Sequence, residues 1–418
     1  MIAIPATSTL EPQRMLLGNG LQVFLLPASS TDLVRLDIID EAGSAYQPQP
    51  LCSAAALKLH TVASLRRNAY EVAEWFDYRG AVLENSPGIF SCSTTVYTLS
   101  RFATELIPLM SELRYSPAFP VDEFTLYCNK RKQEIMANLL KSREVARNAF
   151  YVALFGADHP LGRFATPDDA DRLQLDTVKH FYDSYYMKGN SPTVLISGHV
   201  DNGLVEALGR LPIHNGNSKE EPIAVDPSDA IRDAVGTLLK PIAGSVQTTV
   251  RVGRVLPLEW HSMDYARLTL LVNLLGGYFG SRLMTNLRED KGLTYGIYAR
   301  TQLYRGCIVF YIVADVAAGT AQQAVDEIRH ELQQLCDTRV SDDELQLVKT
   351  VTAGDFIRSV DGIFERAERL SGMLQADVDE RLTDNLRQAI ADTTPDHLHQ
   401  LACQWLHPDS MIYVLAGA

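Results

Sequence analysis

The sequence predicts an α+β fold made of one unit used twice, each copy an α/β roll with an antiparallel-rich sheet packed on helices. Three observations lead there. First, the block DTVKHFYDSYYMKGNSPTVLISG (176–198), a helix pattern, a polar turn and an apolar strand, returns in the same order as DHLHQLACQWLHPDSMIYVLAG (396–417). Second, ELIPLMSELRYSPAFPVDEF (105–124) is matched at nearly the same offset, about 220 residues, by VDEIRHELQQLCDTRVSDDEL (325–345). Third, the strand patterns group among helices instead of alternating with them one by one, which argues against a βαβ succession. Between the copies, NGNSKEEPIAVDPSD (215–229) has the Asn, Ser, Pro and charge content of a linker. The expected division is 1–213, a linker at 214–229, and 230–418.

The elements follow in chain order. GLQVFLLP (20–27) and LVRLDIID (33–40), separated by a short polar turn, predict a hairpin. Helical periodicity marks 50–66, 69–79, 101–114, 121–140, 142–155 and 174–187. GIFSCSTTVYTL (88–99) supplies a further strand. In the second copy SVQTTVRVGRVL (245–256) alternates as a half-buried strand, and GCIVFYIVADV (306–316) takes the place of 88–99. Helices are expected near 261–275, 279–289, 320–336, 341–358, 362–390 and 395–406. Ser341 is placed to cap one of them, with Asp342, Asp343 and Glu344 in its first turn, where carboxylates complement the helix dipole. GGYFGSRL (276–283) reads as a tight helix–helix turn. Trp75 and Phe76, and the repeated Tyr182, Tyr185 and Tyr186, read as packing residues.

Composition excludes several classes of function. The 418 residues carry 38 Lys+Arg against 51 Asp+Glu, a net charge of −13, and the one dense basic run, Lys130-Arg131-Lys132, lies in a helical pattern as a solvated face. Nucleic acid is therefore not an expected partner, since phosphate binding needs clustered cations. No apolar stretch reaches the roughly 20 residues of a membrane span. The start, MIAIPATSTLEPQRM, lacks a charged region followed by an apolar core, so a cytoplasmic location is expected. Six scattered cysteines predict reduced, buried thiols.

Common catalytic signatures are missing. There is no HExxH or HxxEH, either of which sets two imidazoles on one helix face beside a carboxylate base. His397 and His399 are two apart and diverge on a helix. GxSxG, GxxxxGK[ST] and GxGxxG are absent as well.

The duplicated unit, GSAYQ (43–47), HPLGRFATPDD (159–169) and above all GSRLMTNLREDKGLTYGIYA (280–299) together resemble the pitrilysin family of zinc peptidases, nearest its half-size branch of bacterial peptidase subunits, mitochondrial processing peptidase and respiratory core proteins. The resemblance covers nearly the whole chain. It implies that the inverted motif HxxEH should fall on 56–60. There the second His survives as His60, but Ala56 stands for the first His and Leu59 for the Glu. A distal ligand of the family, a Glu on a later helix, corresponds to Glu134. A catalytic zinc needs about three protein ligands and a base for its water. His60 and Glu134 offer at most two, so no metal is expected in this chain.

The same resemblance implies a role for Arg288 and Tyr295, which keep the family's R-x₆-Y spacing. In that family the Arg holds the substrate backbone and the Tyr donates to the carbonyl oxygen as it becomes negative. The plainer reading makes Arg288 a helix C-cap and Tyr295 a packing partner of Tyr298. The resemblance thus implies a non-catalytic, substrate-binding subunit whose zinc is expected in a homologous partner, the two closing like a clamshell on a peptide. In isolation a second copy of this chain could take the partner's place. The alternatives are a structural or assembly subunit like the core proteins, an active metallopeptidase with atypical ligands, and a peptide-binding or precursor-handling protein. The net charge hints at basic or neutral peptides.

Overall fold

The computed structural model describes residues 11–213 and 234–417; the linker expected at 214–229 lies outside the described residues. The first half holds a six-stranded sheet, β1 (Gln13–Leu16), β2 (Gln22–Pro27), β3 (Leu33–Asp40), β4 (Val82–Pro87), β5 (Cys92–Leu99) and β6 (Thr193–Gly198), in the order β1-β2-β6-β3-β5-β4. The second holds β7 (Gly236–Pro241), β8 (Gln247–Leu256), β9 (Thr294–Tyr304), β10 (Cys307–Ala317) and β11 (Ile412–Gly417), in the order β7-β11-β8-β10-β9. Leaving β1 aside, the two orders are the same, with β11 standing where β6 stands. In both, the late central strand pairs parallel to one neighbour and antiparallel to the other. The duplication read from 176–198 and 396–417 is therefore a duplication of topology.

The expected hairpin of 20–27 with 33–40 is not formed. β6 enters between them, pairing Leu25 with Ile196 on one side and Leu36 with Ile196 on the other. Alternation marks a strand but does not name its partner, and the apolar run Val194–Ile196 of β6 is buried between the two.

The helices are α1 (Cys52–His60), α2 (Ala69–Arg79), α3 (Ser100–Tyr115), α4 (Val121–Asn138), α5 (Ser142–Phe155), α6 (Pro167–Arg172), α7 (Leu175–Tyr182) and α8 (Asn202–Gly209). In the second half they are α9 (Met263–Gly276), α10 (Ala321–Asp337), α11 (Asp342–Arg358), α12 (Ile363–Ala376), α13 (Arg381–Asp392) and α14 (Pro395–Trp405). α7 runs on into a wide turn at Asp183–Met187, and another, Met284–Asp290, replaces the regular helix expected near 279–289. Ser341 caps α11, accepting from the Glu344 N–H at 3.2 Å. The single helix expected over 362–390 is broken, because Asp377 turns left-handed at φ 57° and closes α12. The glycines of 276–283 do more than turn the chain. A Cβ on Gly276 would lie 2.5 Å from the Ala299 nitrogen, so Gly276 lets α9 lie flush on β9.

Each half lends a helix to the other. α5 packs Phe150, Tyr151, Leu154 and Phe155 against Val255, Val309, Ile412 and Val414 of the second sheet. α12 returns the arrangement, setting Ile363, Ala367 and Leu370 on Phe24, Leu26 and Leu195 of the first. Polar contacts mark both seams: Ser142 with Thr249 and Tyr151 with Tyr304, each at 2.9 Å, and Arg35 with Glu368 at 2.7 Å.

Candidate functional site

α1 carries the stretch where the inverted motif would lie. It is a short helix with Ala56 and Leu59 fully buried in a cluster with Phe119, Ile135, Tyr182 and Tyr186. It ends at His60, earlier than the 50–66 pattern suggested, and Thr61 closes it by donating to the Lys58 carbonyl at 2.9 Å.

His60 is buried and its ring is already engaged. Its Nδ1 lies 3.0 Å from the Ala56 carbonyl, one turn back on its own helix; a carbonyl only accepts, so Nδ1 carries the proton. The imidazole lies 5.4 Å from the Tyr182 ring and 5.1 Å from Tyr186, and those two rings stack on each other. Behind them is a buried ion pair: Arg114 donates to both oxygens of Asp40, at 2.6 and 3.0 Å, and to the Tyr186 carbonyl. The Tyr182 hydroxyl donates to the Arg114 carbonyl. Glu134 sits on the partly exposed face of α4, paired with Arg131 at 2.6 Å.

These residues do not fit a catalytic zinc. His60 has one ring nitrogen committed, the flanking positions are hydrocarbon, and Glu134 is already neutralised. Among the described residues no group of His, Cys, Asp and Glu is arranged to hold a metal ion. The space around His60 is used for packing aromatic rings on a neutral imidazole.

Burial pushes the His60 pKa down to about 4, with Arg114 working in the same direction and the Ala56 carbonyl opposing. In the unfolded chain an ordinary His binds its proton near 6.5, so between about pH 6.5 and 4 the unfolded state holds the extra proton. Stability contributed by neutral His60 is complete above that window and falls with pH by up to about 1.4 kcal/mol per unit inside it. His60→Gln should flatten this part of the pH–stability curve, measured by denaturant midpoints from pH 7 to 4. An unchanged slope would mean that other groups set it.

Arg288 and Tyr295 belong to the second half. The wide turn at Met284–Asp290 carries Arg288, and β9 begins just beyond it, bearing Tyr295. Arg288 lies over the exposed Phe279 ring at 4.6 Å, and among the described residues no carboxylate pairs with it. Tyr295 is 94% exposed. The plainer reading holds in part for Arg288, which lies in the last turn of Met284–Asp290 where a cation complements the helix end, and fails for Tyr295. The capping bond at that turn is main-chain, from the Lys291 N–H to the Asn286 carbonyl, and Tyr298 packs against Tyr311, not Tyr295. The fold leaves Tyr295 exposed and Arg288 half-buried over Phe279, with no carboxylate partner for the arginine among the described residues.

One functional candidate is not apparent from the sequence. Arg251 is buried at the centre of β8 beneath α5, ringed by Phe150, Tyr151 and Tyr311. The available signal was a cation between two valines in the strand TTVRVGRVL. The cysteines are all unpaired, and Cys403 is exposed, unlike the buried thiols expected. Among the described residues no helix is long and apolar enough to cross a membrane.

Comparison with known proteins agrees with this architecture. Residues 172–351 match the family model described as the peptidase M16 inactive domain. The chain is 24% identical over 278 residues to an uncharacterized zinc protease of Streptomyces coelicolor, covering 62% of this chain and 57% of that protein. It is 22% identical over 306 residues to a Bacillus subtilis protein named a probable inactive metalloprotease, covering 67% of this chain and 66% of the other. The chain thus spans somewhat over half the length of these relatives. Its fold is that of a crystal structure titled as a peptidase M16 inactive domain from Pseudomonas fluorescens, with a TM-score of 0.83, 21% identity, and 97% and 98% of the two chains covered.

Proposed function

We propose that this chain, whose residues 172–351 match the peptidase M16 inactive-domain model and whose 56–60 stretch fits no catalytic zinc, is a non-catalytic, substrate-holding subunit working with a homologous zinc-bearing partner. The observation that carries this reading is the pair Arg288 and Tyr295. Tyr295 is 94% exposed, and Arg288, on the turn that precedes its strand, has no carboxylate partner among the described residues. A phenol standing at the start of a strand is free to donate to a peptide carbonyl, and a guanidinium on the neighbouring turn is free to hold peptide oxygens.

The test is turnover by the reconstituted complex. Loss of one oxyanion donor costs about 10²–10³-fold in turnover, so Tyr295→Phe should cut the rate constant by roughly that factor with assembly intact. Arg288→Ala should act chiefly on the Michaelis constant, because it removes peptide holding. Full turnover in the double variant, with the complex still formed, would assign the chain to the structural role instead. That second reading has its own support: α4 buries only Ile135 and leaves Val121, Leu126 and Met136 exposed, with Leu139 and Leu140 exposed just beyond its end, an apolar surface that a partner could cover.

A further inference from the structure

The second sheet holds a buried cation that the fold does not neutralise. Arg251 is only 7% exposed. Its guanidinium carbon lies 4.3 Å from the Tyr311 ring centre, 4.9 Å from Phe150 and 5.5 Å from Tyr151. Among the described residues no carboxylate reaches it, and its buried Nε has no acceptor. Ring faces attract a guanidinium, but they do not use up its five donors. A buried charge left without a counterion is a standing cost to the fold.

The first sheet solves the equivalent problem differently. Counting back from Gly198 and Gly417, which end the two central strands, Leu195 corresponds to Val414. Asp37 is registered with Leu195 and Arg251 with Val414, so Arg251 occupies the place of Asp37. There the buried Arg35 donates to both oxygens of Asp37 at 2.8 Å and meets Glu368 of α12 at 2.7 Å. Two carboxylates serve one arginine. At the corresponding seam of the second sheet, α5 brings aromatic rings to Arg251 and no acid.

Arg251 is linked toward the sheet edge by the ring it touches. Tyr311 is half-buried and stands opposite Arg300 of β9, an exposed arginine that, among the described residues, donates only to the main-chain carbonyls of Gly277 and Ala299. Asp315, the nearest acid along β10, is occupied: it accepts from Thr249 at 2.5 Å and lies 3.5 Å from Arg143. Arg251 beside Tyr311 and Arg300 at the β9 edge are therefore, among the described residues, two guanidinium groups without carboxylates, in a protein of net charge −13.

We propose that this face receives carboxylate side chains of an acidic peptide, with Arg251 as the inner anchor and Arg300 as the outer one. The inference deepens the peptide-holding reading and rests on it. A guanidinium takes a carboxylate through two parallel N–H···O bonds, a geometry an ammonium cannot reproduce. Buried among rings, Arg251 would hold it in a medium that strengthens the pairing. The direction is opposite to the basic or neutral peptide that the net charge suggested.

The experiment uses the full chain and two fluorescein-labelled, amidated decapeptides, one of alternating Glu and Ala, the other of alternating Lys and Ala, followed by anisotropy. The acidic peptide should bind and weaken with added salt, and Arg251→Met should weaken it about tenfold or more. The same variant should melt at a higher temperature than the parent without peptide, since an apolar side chain replaces an uncompensated buried charge. Arg300→Gln should give a smaller loss. Equal binding of the acidic peptide by Arg251→Met would overturn the assignment, as would a lower melting temperature with binding unchanged. Equal or tighter binding of the lysine peptide would overturn the acidic preference and leave peptide holding intact. Failure of Arg288 and Tyr295 to affect turnover would remove their role without touching this direct binding.

Discussion

Asp40→Ala is expected to lower the free energy of unfolding by about 3–5 kcal/mol, the cost typical of removing one partner from a buried ion pair. Asp40 is 3% exposed and Arg114 is 8% exposed, and the pairing is bidentate. Burial alone would push the Arg114 pKa down, but Asp40 more than offsets it and holds the guanidinium charged. Without the carboxylate, that charge remains beneath Tyr182 and Tyr186 with the Tyr186 carbonyl and the Tyr115 hydroxyl beside it and no counterion among the described residues. The damage should spread to His60, because the same two rings flank its imidazole. Denaturant midpoints for Asp40→Ala, Arg114→Met and the double variant measure the coupling. The double variant should recover much of the loss, since it buries no unpaired charge. A single-variant loss below about 1 kcal/mol would show that solvent reaches the pair, against the bidentate buried geometry.

Restoring the inverted motif by Ala56→His with Leu59→Glu should destabilise the protein and fail to create a zinc centre. Leu59 is 1% exposed and Ala56 fully buried, both packed in the cluster with Phe119 and Ile135. A carboxylate at position 59 would be taken from water into hydrocarbon, a change that costs several kcal/mol or forces the group neutral. An imidazole at position 56 would need room that an alanine never occupied, and overpacking adds about 1–3 kcal/mol. His60 would still have Nδ1 turned to the carbonyl of position 56. Metal content after dialysis against zinc, with the thermal midpoint, decides the matter. One zinc per chain at an unchanged midpoint would show that the site is latent and that its packing gives way easily.

Much of the fold was readable because the repeat is a repeat of patterns that physics constrains. The helix-and-strand blocks at 176–198 and 396–417 bury their strands almost from end to end, so the periodicity survives in the residues themselves. The loss of metal ligands at Ala56 and Leu59 was legible for a similar reason: hydrocarbon cannot bind zinc wherever it sits. Strand partners were not legible, and β6 passing between β2 and β3 shows why, since the pattern along a strand says nothing of which edge is taken. The division of 362–390 was hidden because Asp377, which tolerates a left-handed backbone through its short polar side chain, looks like any surface acid in sequence. Arg251 was hidden by the opposite effect. Its meaning lies in the carboxylates it lacks, and absence of a partner is a property of three dimensions.

The crossed placement of α5 and α12 has a consequence for origin. A single ancestral unit with this design would have had one sheet face bare and one helix unhoused, and both would be satisfied only by a second copy of itself. Such a unit is dimeric by necessity, its stability rising and falling with its own concentration. Joining two copies in one chain makes that encounter intramolecular, where the effective concentration reaches the millimolar range for a short connection. Once joined, the copies no longer had to remain identical. One seam could keep Arg35 with Asp37 and Glu368 while the other set Arg251, among aromatic rings, where its counterpart has Asp37, a divergence that no symmetric pair of identical chains could have made.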